Sequence, residues 1–185
     1  MKITTTDFPG LYVIEPVVFN DDRGYFFESY RDEHFVNSDL NLKFKQDNQS
    51  KSTRGVLRGL HYQLEHGQGK LASCVYGEVY DVALDIRKGS PTFGHVFTKT
   101  LNDTDHHAVY IPPGFAHGFC VLSEEAIFQY KCTEIYYSED EYGISWNDQT
   151  ANIQWPIDQP ILSNRDLNFP TLADQDDTLL PVFEG

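Results

Sequence analysis

The sequence of 185 residues is short of positive charge. Its 14 Lys and Arg stand against 28 Asp and Glu, for a formal net charge of −14. A nucleic-acid backbone needs a basic face, so a nucleic-acid partner is not expected, and the acidic surplus reads as a solvated surface. Cysteine is also scarce. Cys74, Cys120 and Cys132 fall in no C-x-x-C or related metal spacing, and an odd count at unrelated positions reads as buried free thiols in a reducing compartment. No stretch approaches the roughly 20 apolar residues of a membrane span. The first ten residues, MKITTTDFPG, contain no apolar targeting core. These features point to a cytoplasmic protein with no membrane partner. Repeats and low-complexity segments are absent, and 13 Gly and 9 Pro are too few for a disordered chain.

What remains is one domain with an aromatic surplus, cut into many short strands by turn residues. Residues 11–19 read as a strand that Pro16 demotes to an edge or an exchanged strand. Residues 21–24 read as a turn, 25–30 as a second strand, and 31–40 as the one short helix. Val82, Leu84 and Ile86 alternate with Asp81, Ala83 and Asp85, the pattern of a half-buried strand. Further strands are expected at 95–101, 107–111, 117–122 and 126–133. Regular short strands with turns between them indicate an all-β sandwich or barrel. The domain is read as residues 1–170, followed by a loose acidic tail at 171–185.

Two stretches stand out chemically. Residues 110–121 read YIPPGFAHGFCV, a Pro-x-Gly turn with His117 three residues after Gly114. They resemble the second motif of cupins, although a surface histidine beside a tight turn reads the same way. Residues 54–77 read RGVLRGLHYQLEHGQGKLASCVYG and resemble the first cupin motif with its metal ligands replaced. His61 is present, Gln63 takes the second histidine position, and Lys70, seven residues before Gly77, stands where an acidic ligand is expected. An ammonium has three donors and no acceptor, so it cannot ligate a cation. The expectation is a fixed positive charge and no metal; a solvated loop lysine is the plainer reading. Arg23 with Glu28, the run from Gln46 to Ser50, Tyr130 in FQYKC and Asp166 in LSNRDL each read singly as loop, core or turn residues.

Taken in order, RGYFFE, QDNQS, RGLHYQ, GK, PPGFAHGF, QYKC, EYG followed by WND, and LSNRD resemble the dTDP-4-dehydrorhamnose 3,5-epimerase family, over about residues 8–166. The resemblance implies a cupin jelly roll, and a homodimer that exchanges N-terminal strands. The implied substrate is a dTDP-4-keto-6-deoxy sugar nucleotide. Inversion of the carbons beside the ketone is implied, in the making of dTDP-L-rhamnose or a related deoxysugar, without cofactor. Through it His61 matches the general base, Tyr130 the proton donor and Asp166 the carboxylate paired with the base. Arg23, Glu28, Gln46, Asn48, Arg58, Lys70, His117 and Glu141 match substrate contacts. Arg165 departs from the lysine common at its position, so a fork would replace a point charge there.

The residue types suit that chemistry. A carbon acid beside a ketone needs a base near neutral pKa, which histidine supplies. Lys70 is suited to hold the charge that develops on the ketone oxygen. Inversion needs a second group on the other face, and Tyr130 can return a proton. Phe119 and Tyr136 are aromatics that could bias sugar orientation. Competing readings are an epimerase acting at one centre, a ketoisomerase of a dTDP-ketosugar, a metal-dependent cupin, and a non-catalytic sugar-binding cupin.

Overall fold

A computed structural model describes residues 1–36 and 42–185. In chain order its strands are β1 (Lys2–Thr5), β2 (Tyr12–Glu15), β3 (Phe19–Asp21), β4 (Gly24–Phe26), β5 (Gln46–Thr53), β6 (Leu57–Gln63) and β7 (Lys70–Tyr76). They continue with β8 (Glu78–Asp85), β9 (Val96–Asn102), β10 (Ala108–Ile111), β11 (Phe115–Val121), β12 (Glu125–Cys132) and β13 (Glu141–Gly143). The first sheet has the order β1-β2-β10-β7-β12-β5, the second β13-β6-β11-β8-β9, and β3-β4 form a separate hairpin. All these pairings are antiparallel.

The two large sheets face each other as the expected jelly-roll sandwich. Ala72, Cys74, Val109, Phe115, Phe119 and Phe128 pack between them. Packing two pleated sheets over alternating inward residues is the usual way such sheets bury their apolar faces. A second apolar layer covers the outer side of the second sheet, where Leu60, Val82, Leu84 and Ile86 meet Ile144, Leu172 and Leu180. A third, around Ile14, Phe35, Leu71 and Tyr110, lies under the helix α1 (Asp32–Val36).

Several sequence expectations change here. β8 is not half-buried: Val82, Leu84 and Ile86 lie under the outer layer, and Asp81, Ala83 and Asp85 are equally inaccessible on the inner face. The alternation assigned the faces correctly, but both are covered. The strand expected at 11–19 breaks at Pro16, which lacks the N–H to continue the ladder. β2 pairs on both sides, with β1 and β10, and is not an edge. The strand expected at 25–30 ends at Phe26, and the part of the expected helix at 37–40 lies outside the described residues.

The segment after Pro170 is packed, not loose. Leu172 and Leu180 are buried, and the Leu172 N–H donates to Asp148 Oδ2 at 2.6 Å. Tyr62 donates to the Leu179 carbonyl at 2.9 Å, and Phe183 lies 4.9 Å from the Arg87 guanidinium. The acidic composition suggested solvation, but the spaced apolar side chains decide the packing. The three cysteines are buried free thiols.

Candidate active site

One polar cavity of about 640 Å³ opens between the two sheets. Its walls carry Gln46, Asn48, Arg58, His61, Lys70, His117, Phe119, Tyr130, Tyr136, Glu141, Arg165 and Asp166, all singled out in the sequence. The first sheet supplies Gln46 and Asn48 from β5, Lys70 from β7 and Tyr130 from β12. The second supplies Arg58 and His61 from β6, His117 and Phe119 from β11, and Glu141 from β13. Arg165 and Asp166 arrive on the segment that follows β13.

His61 and Arg58 are three residues apart, so simple alternation would send them to opposite faces. The ladder between β6 and β11 is irregular between His117 and Phe119, and such a bulge re-aims side chains. Gly59 makes this possible. At φ +118° it lies so close to β11 that a Cβ would sit 2.6 Å from the Gly118 Cα.

His61 Nε2 lies 2.6 Å from Asp166 Oδ1, and the Asp166 N–H donates to Ser163 Oγ. Burial alone would raise the Asp166 carboxyl. The hydrogen bond and charge of His61, with Ser163 and Arg165, outweigh that and hold it below the ordinary value. Phe169 meets His61 edge-on with centroids 5.5 Å apart. Its ring lies where a Cβ on Gly143 would be, 2.6 Å away, so glycine at 143 lets the ring close on the imidazole. On the other side of His61, Nδ1 is 3.9 Å from Glu141 Oε1. The other Glu141 oxygen accepts from Tyr136 Oη at 2.9 Å and from Arg165.

Lys70 is buried, with Nζ 3.4 Å from the His61 carbonyl. Burial lowers its pKa, while Cys132, Glu141 and Asp81 pull the other way. Tyr130 is pushed up to about 12, first by burial and then by Cys132 and Glu141, so its phenol keeps its proton at neutral pH. Arg58 is held by two hydrogen bonds to Ser52 Oγ at 3.1 and 3.2 Å. Gln46 donates to Asn48 Oδ1 and accepts from the Tyr136 N–H. Phe119 stacks on Phe128 at 4.1 Å.

Two expected residues are not in this cavity. Arg23 sits in the β3-β4 hairpin, bound to Asp21, and Glu28 pairs with Arg31 and His34. The hairpin leaves Phe19, Tyr25 and Phe26 largely exposed. One important residue was missed. Asp81 is fully buried behind the cavity, with Oδ2 2.8 Å from His117 Nε2 and Oδ1 without a hydrogen-bond partner among the described residues. Its sequence signal, a carboxylate opposite an apolar run, is the same as that of a solvated face. Among the described residues no cluster of three or more His, Cys, Asp and Glu is placed to hold a metal ion. No helix among them is long and apolar enough to cross a membrane.

A jelly roll with one polar cavity, lined by a histidine–carboxylate pair, a buried lysine and a buried tyrosine, defines a cupin-type barrel equipped for acid–base chemistry. The profile of the dTDP-4-dehydrorhamnose 3,5-epimerase family matches residues 5–174. A relative of that name from Shigella flexneri is 50% identical over 178 residues, spanning 95% of this chain and 98% of its own length. The structure of dTDP-6-deoxy-D-glucose-3,5-epimerase from Legionella pneumophila with dTDP-4-keto-L-rhamnose superposes with a TM-score of 0.96. It is 44% identical and covers 100% of this chain and 99% of that one. A 3'-monoepimerase from Streptomyces bikiniensis, solved with dTDP-quinovose, gives a TM-score of 0.91 at 36% identity, covering 97% and 92%. The chain belongs to the dTDP-4-dehydrorhamnose 3,5-epimerase family.

Proposed function

We propose that the protein is a 3,5-epimerase of dTDP-4-dehydro-6-deoxy-D-glucose, a dTDP-4-keto-6-deoxy sugar, in the formation of dTDP-L-rhamnose or a related deoxysugar. The observation that carries this reading is the placement of His61, backed by Asp166, on one sheet and Tyr130 on the facing sheet of a single cavity. His61 removes the proton from the carbon beside the ketone. Asp166 orients the imidazole and balances the charge it acquires. The electron pair moves onto the ketone oxygen, where Lys70 holds the developing charge. Tyr130 returns a proton from the opposite face, inverting the centre. Arg58, Arg165, Gln46 and Asn48 at the cavity wall are suited to the diphosphate and base, Glu141 and His117 to the sugar. Phe119 packs the wall beside them.

Arg23 and Glu28 act in a second copy of the chain. The exposed aromatic hairpin and an apolar groove on the outer face of the first sheet, lined by Ile14, Tyr25, Phe27, Leu71 and Val75, support a homodimer in which each hairpin completes the partner's cavity. Free buried thiols fit a cytoplasmic setting.

The test is proton NMR of dTDP-4-keto-6-deoxyglucose in deuterated water with the protein added. Exchange and inversion at both carbons beside the ketone are expected. Inversion at one carbon alone reduces the reading to a single-centre epimerase. Binding without exchange overturns it in favour of a non-catalytic module.

A further inference from the structure

Gln63 occupies the place of the second histidine in the metal-binding cupin motif, yet it lies behind the cavity wall and is 4% exposed. Its amide is fully engaged with backbone. Nε2 donates to the Ile135 carbonyl at 3.2 Å and to the His66 carbonyl at 2.8 Å, while Oε1 accepts from the Tyr137 N–H at 2.8 Å. One side chain therefore grips both peptide groups that flank Tyr136. The Tyr136 N–H is held in turn by Gln46 Oε1 at 2.9 Å. Tyr136 stands half-exposed at the cavity rim, and its hydroxyl reaches Glu141, whose other oxygen faces His61. A second buried side chain strengthens the same join. Asp140 accepts from the N–H groups of Leu64, Glu65 and His66 at 3.2, 3.1 and 2.8 Å, which locks the β6–β7 loop against the segment that carries Tyr136.

We propose that Gln63 is a positioning residue that sets the direction of the Tyr136 ring, and through it Glu141, for nucleotide-sugar binding. The inference rests on the function proposed above. With φ and ψ of Tyr136 fixed on both sides, the ring stands at the rim before substrate arrives, so binding does not have to order it. A backbone clamp of this kind acts on affinity and leaves the proton transfers at His61 and Tyr130 largely alone.

The experiment is titration of the purified protein with dTDP, alongside steady-state epimerisation, for Gln63→Met, Tyr136→Ala and the double variant. Gln63→Met keeps the volume and loses all three bonds. Its dissociation constant for dTDP is expected to rise about tenfold, the scale of re-ordering one large side chain, and KM to rise with it while kcat changes far less. In the Tyr136→Ala background Gln63→Met should add nothing, because the residue it positions is gone. Gln63→Leu, which also loses all three bonds and buries no charge, carries the same test if the methionine variant does not fold. An unchanged dTDP affinity in a folded variant overturns the proposal. So does an equal further loss in the Tyr136→Ala background, which would mark Gln63 as a general structural residue. A parent protein that binds dTDP without epimerising would defeat the proposed function instead, and leaves this binding test readable.

Discussion

His61 Nε2 and Asp166 Oδ1 lie 2.6 Å apart, although 105 residues separate them in the chain. The contact joins the middle of β6 to a short 3-10 turn at Asp166–Asn168 beyond the last strand. Two consequences follow for the reaction. With one imidazole nitrogen engaged by a carboxylate, the other is the one available for the substrate, and a positive charge acquired on the ring is balanced at once. His61→Ala is expected to abolish both solvent exchange and inversion, a loss of roughly two to four orders of magnitude. Asp166→Asn keeps the shape but removes the charge, and should lower the exchange rate at least about a hundredfold. Deuterium incorporation beside the ketone measures both: exchange at the parent rate in His61→Ala would move the base elsewhere, and in Asp166→Asn it would remove the role given to that carboxylate.

Tyr130 and His61 come from opposite sheets, so the two proton transfers can be separated. A base that has taken a proton can return one that has exchanged with solvent, restoring the original configuration with deuterium in place. Tyr130→Phe should therefore still exchange, with inversion slower by roughly two or more orders of magnitude. The phenol is raised to about 12, so loss of its proton does not limit the parent enzyme below that pH. Inversion at the parent rate in Tyr130→Phe would make Tyr130 a packing residue and turn attention to Tyr136 or a bound water.

Lys70 is expected to contribute to the first proton abstraction by roughly two to three orders of magnitude, the usual scale for one donor at a developing oxyanion. Lys70→Ala should show that loss in the exchange rate, with a much smaller change in dTDP affinity. Burial has lowered the Lys70 pKa, so its charge disappears below the pH at which an ordinary lysine loses it. The alkaline limb of the rate profile should therefore fall before 10.5, the ordinary lysine value, and be absent in Lys70→Ala. Chelator-treated protein should keep its activity, since an ammonium stands at the acidic-ligand position and Gln63 is bound to backbone. Activity that returns only with a divalent metal would contradict the assignment.

The β3-β4 hairpin should matter only across a dimer. Arg23→Ala is expected to leave folding intact, because the side chain is exposed and, among the described residues, bonded only to Asp21, while dTDP binding weakens. Sedimentation should give a dimer at assay concentration. Mixing Arg23→Ala with His61→Ala should recover activity, because one of the two cavities in a mixed dimer then has both side chains. A fully active monomer would refute the arrangement.

Stability should be lost at both ends of the pH range, with opposite signs of pKa shift. Burial raises Tyr30, Tyr62 and Tyr130 from 10.0 to about 12. Between those values the unfolded chain releases protons that the folded chain keeps, so stability falls as pH rises through that window. Asp85 goes the other way. Burial would raise it, but hydrogen bonds from Arg87, Ser90 and Thr92 together hold it below 3.8. Its contribution is present above that value and is lost as pH falls through the folded pKa. Urea midpoints measured across pH should flatten at the alkaline end in Tyr62→Phe and at the acid end in Asp85→Asn.

The turn-bounded short strands were enough, by themselves, to indicate an all-β sandwich or barrel, and the alternation at 81–86 separated the two faces of its strand, because side chains in a strand point to opposite faces in turn; that both faces are covered was not legible. The ordered motifs from Arg23 to Asp166 carried the family resemblance and the site it implies, although each of those residues taken singly read as a loop, core or turn residue. Tertiary structure decided the rest. A carboxylate in a strand has the same local pattern whether its face meets water or another sheet: Asp81 meets His117 through the pairing of β8 with β11, and it is buried because the first sheet covers that face. Arg58 and His61 share a cavity because Gly59 lets β6 press against β11 and bulge, a contact between strands that no local pattern encodes. The acidic composition after Pro170 favoured solvation, yet Leu172 and Leu180 found an apolar surface on the second sheet. Burial of side chains against distant segments is set by the whole packed chain, and that is where the sequence alone stops.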